Sequence, residues 1–127
     1  MTEVTILALY GLLVILTLIL QATGAMTQLG MGYLLSSRDE QRTVSGIAGR
    51  LDRALSNSVT AMALFAPAVL LLEVTQSTSN ASLLAAQVFL IARLVYLPAY
   101  ALRITGIRSL AWMVGIVATI ALYLLAL

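Results

Sequence analysis

The residues able to do chemistry are few, and most of them fall into stripes. Side chains three, four and seven positions apart share a helix face. On that spacing come Arg50, Arg53, Asn57 and Thr60, then Arg93, Tyr96, Tyr100 and Arg103, then Arg108 with Trp112. A weaker stripe, Thr17, Gln21, Gly24 and Gln28, lies nearer the amino terminus. Cysteine and histidine are both absent, which removes disulfides, thiolate or imidazole metal sites, a cysteine nucleophile and the usual general base. Chemistry here must use arginine, tyrosine, serine, threonine, asparagine or carboxylates, and no metal is expected.

These side chains are set in a strongly apolar chain. Of 127 residues, 61% are hydrophobic and 9% charged, against about a quarter charged in soluble domains, and the mean hydropathy is +1.04. That is the composition of a membrane protein. No polar, Gly/Ser or Pro-rich run separates two units, so residues 1–127 are expected to form a single domain. The net charge of +2 rests on seven arginines and no lysine; these read as membrane-flanking charges and give no reason to expect nucleic acid as a partner.

A membrane-crossing helix needs about 20 mainly apolar residues, and four segments qualify, at about 4–35, 51–74, 81–102 and 107–127. The first is longer than a roughly 30 Å hydrocarbon core requires, so its lower part should project from the bilayer or bend near Gly24. It begins with an acidic residue and no basic region or cleavage site, which reads as a retained span and not as a removable signal peptide. Arginines cluster near loops 36–50 and 103–108, and TQSTSN (75–80) has none. The positive-inside rule therefore places those two loops in the cytoplasm and both termini outside. The expected fold is an all-α integral membrane protein, an antiparallel four-helix bundle, with a fifth element hidden in 21–50 as the less favoured alternative.

Arg93 is the sharpest local signal. It lies ten residues before Arg103, about 15 Å along a helix, and a mid-membrane arginine costs at least about 2.5 kcal/mol on insertion scales. Such a residue normally faces a bundle interior or a wet cavity and has a partner. Tyr96 and Tyr100 offer hydroxyls, and Pro98 frees a carbonyl one turn earlier. The blander alternatives are that Arg93 ties helices together through Asn57, Gln21 or a carbonyl, that the tyrosines are packing or interfacial-belt residues, and that the remaining arginines are flank charges. Glu73 reads as interfacial. It is the coincidence of several stripes at one depth that favours a polar cavity.

ARLVYLPAY (92–100) resembles the third-span signature of the MAPEG superfamily, the membrane-associated proteins of eicosanoid and glutathione metabolism. RALSNSVTAMALF (53–65) is similar to that family's second-span pattern, and GIRS (106–109) to its basic turn. The resemblance spans the chain in architecture, with motifs confined to about 40 residues. It implies a homotrimer, with glutathione as co-substrate bound between subunits near the cytoplasmic face. Carried over by position, Arg50, Arg53, Asn57, Arg93, Tyr96 and Tyr100 are implied binders, and Arg108 with Ser109 the implied thiolate-stabilising pair. The chain departs from the pattern at Ser56 and Thr60, where an arginine and a glutamate are usual, and at Trp112, where many members have tyrosine.

The resemblance thus implies a membrane glutathione- or small-thiol-dependent transferase or peroxidase acting on lipophilic electrophiles that arrive through the bilayer, with membrane lipids as surroundings. A free thiol has pKa about 8.5, and a fixed arginine in a shielded site favours the anion, so Arg108 needs no protein nucleophile. The alternative is a non-catalytic or lipid-binding member that lost the glutathione site, on the strength of Ser56 and Thr60. A proton-coupled four-span transporter is disfavoured because the only first-span acid is Glu3, at its very start. A short, uncleaved chain without a retrieval tail points to a bacterial inner membrane.

Overall fold

A computed structural model describes residues 1–38 and 42–127. Five helices follow in order: α1 (Glu3–Leu29), α2 (Met31–Leu34), α3 (Gly46–Val74), α4 (Asn80–Ala101) and α5 (Thr105–Ala126). The four long ones are apolar and long enough to cross a membrane, and the first stretch expected to span, 4–35, is divided at Gly30 into α1 and α2. Part of the loop expected at 36–50, residues 39–41, lies outside the described residues.

Local chemistry sets the helix ends. Thr2 caps α1 by accepting the Thr5 N–H, and Glu3 in the first turn complements the positive end of the helix. At the other end of α1, Gly30 has φ 86°, a backbone that side chains resist, and there the chain breaks before the single turn of α2. The bend expected near Gly24 therefore falls six residues later. Gly24 instead serves packing. A Cβ there would lie 2.9 Å from the Cβ of Ala48, so the missing side chain is what lets α1 approach α3.

α3 and α4 end alike. In each, the residue three past the last helical one closes back by a backbone bond, Ser77 N–H to the Leu72 carbonyl (2.9 Å) and Ile104 N–H to the Ala99 carbonyl (2.8 Å). The left-handed positions are Gln76 (φ 55°) and Arg103 (φ 61°). The second reversal turns the chain from α4 into α5 within three residues, 102–104. Arg108 and Ser109 in the first turns of α5 are thereby returned beside the end of α4. At its start, α4 carries a reciprocal cap between Ser79 and Ser82.

The core is aromatic at its centre. Phe65 of α3 stacks on Phe89 of α4 (centroids 3.9 Å apart), and Tyr10 of α1 stands edge-on to Phe89 at 4.9 Å. Ile6, Val69, Leu72 and Leu122 close around them. Small residues, Ala86 and Ala92 on α4 and Ala111, Gly115 and Ala118 on α5, line the buried faces of the last two helices, the side chains that allow close backbone approach in lipid. Most of the remaining helix surface is exposed leucine, isoleucine and valine. In a bilayer that surface costs nothing to leave uncovered by the chain itself.

Candidate functional site

Arg93 is buried, 3% exposed. Its Nη1 donates to Asn57 Oδ1 (2.9 Å) and its Nη2 to Ser58 Oγ (3.0 Å), while the guanidinium lies 4.1 Å from the centroid of the Tyr96 ring. Ser58 in turn gives its carbonyl to the Tyr10 hydroxyl, at 2.8 Å. One arginine thus links α4 to α3, and through Ser58 to α1. Asn57 was one of the partners expected for it. Ser58 and Tyr10 were not expected, although Ser58 is the neighbour of Asn57 and Tyr10 is the one aromatic residue of α1.

A second cluster lies nearer the arginine-bearing end. Arg53 of α3 donates from Nε to the Tyr100 hydroxyl (3.3 Å), and Arg108 of α5 sits over the Tyr100 ring, 4.9 Å from its centroid. Tyr96 and Tyr100 are 5.6 Å apart by centroid, so the tyrosines join the two clusters. Stacked in this way, the Arg108 guanidinium makes no hydrogen bond among the described residues, and its N–H groups remain available to a ligand.

Two cavities flank this arrangement. The outer one, about 450 Å³, is walled by Tyr96, Tyr100, Arg108, Ser109, Trp112 and Met113. The inner one, about 180 Å³, is walled by Asn57, Thr60, Arg93 and Trp112 on its polar side and by Leu64, Phe89 and Ile116 on its apolar side. Trp112 borders both. Among the described residues, no carboxylate lines either cavity.

Not every predicted residue joins them. Arg50 donates to the Ala101 carbonyl (2.8 Å), which satisfies the end of α4, and it walls neither cavity. Arg53 borders a separate space of about 320 Å³ together with Gln21, Tyr33 and Asp52, and reaches the main group only through Tyr100. Arg103 is exposed on the turn. The stripe on α1 serves mainly contacts to α3 and its cap: Gln21, which also borders that separate space, donates to Asp52 (3.2 Å), Gln28 exchanges two 2.9 Å bonds with Ser45, and Thr17 returns its hydroxyl to the Leu13 carbonyl of its own helix.

Four apolar spans with a paired arginine–tyrosine cluster at one end define a multi-pass membrane protein with a polar cluster set in its bundle. A sequence profile of the MAPEG family matches residues 4–127, and the chain belongs to that family. No curated protein gives a significant match. Membership places it, at a coarse level, among the membrane proteins of glutathione and eicosanoid metabolism.

Proposed function

We propose that this chain is a glutathione- or other small-thiol-dependent transferase or peroxidase, acting on lipophilic electrophiles, and that it works as a homotrimer with the arginine-bearing end in the cytoplasm of a bacterial inner membrane. The observation that carries the reading is the convergence of Arg53 and Arg108 on Tyr100 beside a cavity of about 450 Å³ that contains Ser109. Arg108 walls that cavity and Arg53 reaches it through Tyr100; with no carboxylate lining it among the described residues, it would favour an anionic ligand, and a thiol bound there would lose its proton more readily than in water. Arg108 would hold the thiolate and Ser109 would donate to it. Arg53, Asn57 and Tyr96 would bind the rest of the peptide. The thiol proton would pass to solvent. As a transferase, the thiolate would attack an electrophilic carbon, forming the carbon–sulfur bond as the bond to the leaving group breaks and that group departs with the electron pair. As a peroxidase, it would attack the outer oxygen of a hydroperoxide, breaking the O–O bond to release the alcohol, with a second glutathione closing the cycle as the disulfide and water.

A second reading is a lipid-binding member without turnover. It is favoured by Thr60, which walls the inner cavity and spends its hydroxyl on the Ser56 carbonyl (3.0 Å), leaving no acceptor of the charge type that a peptide amino group needs. Titration calorimetry of glutathione against the detergent-purified protein separates the two. Saturable binding that Arg108→Ala weakens at least about tenfold supports the thiol reading; no heat of binding, in a protein that still migrates as an oligomer, rejects it.

A further inference from the structure

Asp52 and Arg53 follow one another on α3, and both wall the separate space of about 320 Å³ that α3 shares with the lower half of α1. Neither forms an ion pair among the described residues. Asp52 accepts from Gln21 through Oδ1 (3.2 Å), and its second oxygen makes no hydrogen bond among the described residues. Arg53 gives its Nε to the Tyr100 hydroxyl. Its Nη1 lies toward Gly49, which walls the same space; a Cβ at Gly49 would stand 3.6 Å from it. An anion and a cation, each held by a neutral side chain and both open to one cavity, are complementary to a ligand that carries both charges.

The spacing of the two heads narrows the ligand. Consecutive residues on a helix point about 100° apart, so the carboxylate and the guanidinium diverge. They suit charges separated by several atoms better than those of an α-amino acid, which flank a single carbon. Depth narrows it further. α3 has 29 residues, about 43 Å at helical rise, against a hydrocarbon core of roughly 30 Å. The surplus falls at the arginine-bearing end, where Arg50, Asp52 and Arg53 lie within the first eight residues of the helix, so the cavity stands at the level of lipid headgroups. Ala25, Leu29 and Val44 complete its wall with apolar surface, which suits a headgroup continued by hydrocarbon over a free solute. Arg38 and Arg42 also border it, Arg38 turned onto the Leu34 carbonyl (2.9 Å) and Arg42 over the Tyr33 ring.

We propose that this space binds the headgroup of a phosphoethanolamine lipid, with the phosphate against Arg53 and the primary ammonium against Asp52. A phosphocholine headgroup has the same net charge but no N–H to donate, and a phosphoglycerol headgroup has the phosphate without an ammonium. Asp52 selects against both. The site lies on the α1 side of Arg53, away from the outer cavity, and its occupation requires no thiol.

The purified protein in detergent, without any thiol, is exchanged against an equimolar mixture of dioleoyl phosphatidylethanolamine, phosphatidylcholine and phosphatidylglycerol, and the lipid it retains is counted by native mass spectrometry. The parent should retain phosphatidylethanolamine at least about tenfold over phosphatidylcholine, the scale of a hydrogen bond between charged groups. Asp52→Asn keeps an oxygen for Gln21 and loses the charge, and it should bring that ratio close to one. Soluble glycerophosphoethanolamine over the same concentration range should not displace the lipid. Equal retention of the first two lipids, a preference for phosphatidylglycerol, a ratio unchanged in Asp52→Asn, or displacement by the soluble headgroup would each overturn the proposal. The comparison among lipids uses the parent alone and decides even if the variant folds poorly. Glutathione binding is read separately: its absence would end the thiol reading and leave this site standing.

Discussion

Arg93 and Asn57 are joined across α4 and α3 by a 2.9 Å hydrogen bond, and this bond fixes the charge deepest in the bundle. Because Arg93 stays ionised, deleting its partner leaves a charged donor unsatisfied away from water. Asn57→Ala should therefore lower stability by about 0.5–2 kcal/mol, the range measured for polar contacts between membrane helices. The double change Arg93→Met with Asn57→Leu, which removes charge and partner together, should cost less than the single one. Thermal unfolding in detergent, read by circular dichroism, checks the order; a single variant more stable than the double one would refute the role given to this pair.

Tyr100 has two separable functions. Its hydroxyl holds Arg53 and its ring supports Arg108. Tyr100→Phe removes only the first, so glutathione affinity should fall a few-fold, on the scale of a lost hydrogen bond to a charged group. Tyr100→Leu removes both and should weaken binding clearly more than Tyr100→Phe does. Calorimetric affinities that are equal for the two variants would show that the ring does not position Arg108.

Gly24 is a contact of backbone against side chain. Adding a Cβ would bring it to 2.9 Å from the Cβ of Ala48, so Gly24→Ala should force α1 and α3 apart at a cost of about 1–3 kcal/mol. Ala48→Gly in the same chain should restore most of that loss. Unfolding of the single and double variants tests it, and a Gly24→Ala protein as stable as the parent would show that the seam has slack.

The opposite end of the bundle supplies a control. Glu3 is buried at the start of α1 and accepts a hydrogen bond from the Ser82 hydroxyl of α4. Glu3→Ala should reduce stability by about 0.5–1.5 kcal/mol, the net worth of one hydrogen bond, since the Ser82 hydroxyl keeps Ser79 as a partner, with glutathione affinity unchanged. A drop in affinity equal to that of Arg53→Ala would mean that the two ends of the bundle are coupled.

The spans were legible in the chain because hydrocarbon tolerates little except long apolar helices. The arginine at 93, with its spacing to Tyr96 and Tyr100, announced a polar centre for the same reason. Spacing alone could not say which stripes face a cavity. Gln21, Gly24 and Gln28 repeat as faithfully as the α4 stripe, yet they meet α3 and its N-cap Ser45, and Gln21 borders the space beside Asp52 and not the two cavities near Arg93, since helical period reveals a shared face and not what covers it. The break at Gly30 in place of Gly24 has a similar origin. Both glycines permit a bend, and only tertiary packing decides which one is held straight against Ala48. The sequence shows Glu3 only as an acid at a span's edge, because its partner Ser82 stands 79 positions away, beyond any local pattern.

The central claim is that Arg108 stabilises a thiolate beside Tyr100 and Ser109. It is tested most directly by the ultraviolet difference spectrum of glutathione mixed with the purified protein at neutral pH, set against Arg108→Ala. Thiolate absorbance that appears with the parent protein, saturates with glutathione and disappears in the variant is the predicted result. Glutathione that binds without any thiolate signal, or a signal equally strong in Arg108→Ala, would contradict it.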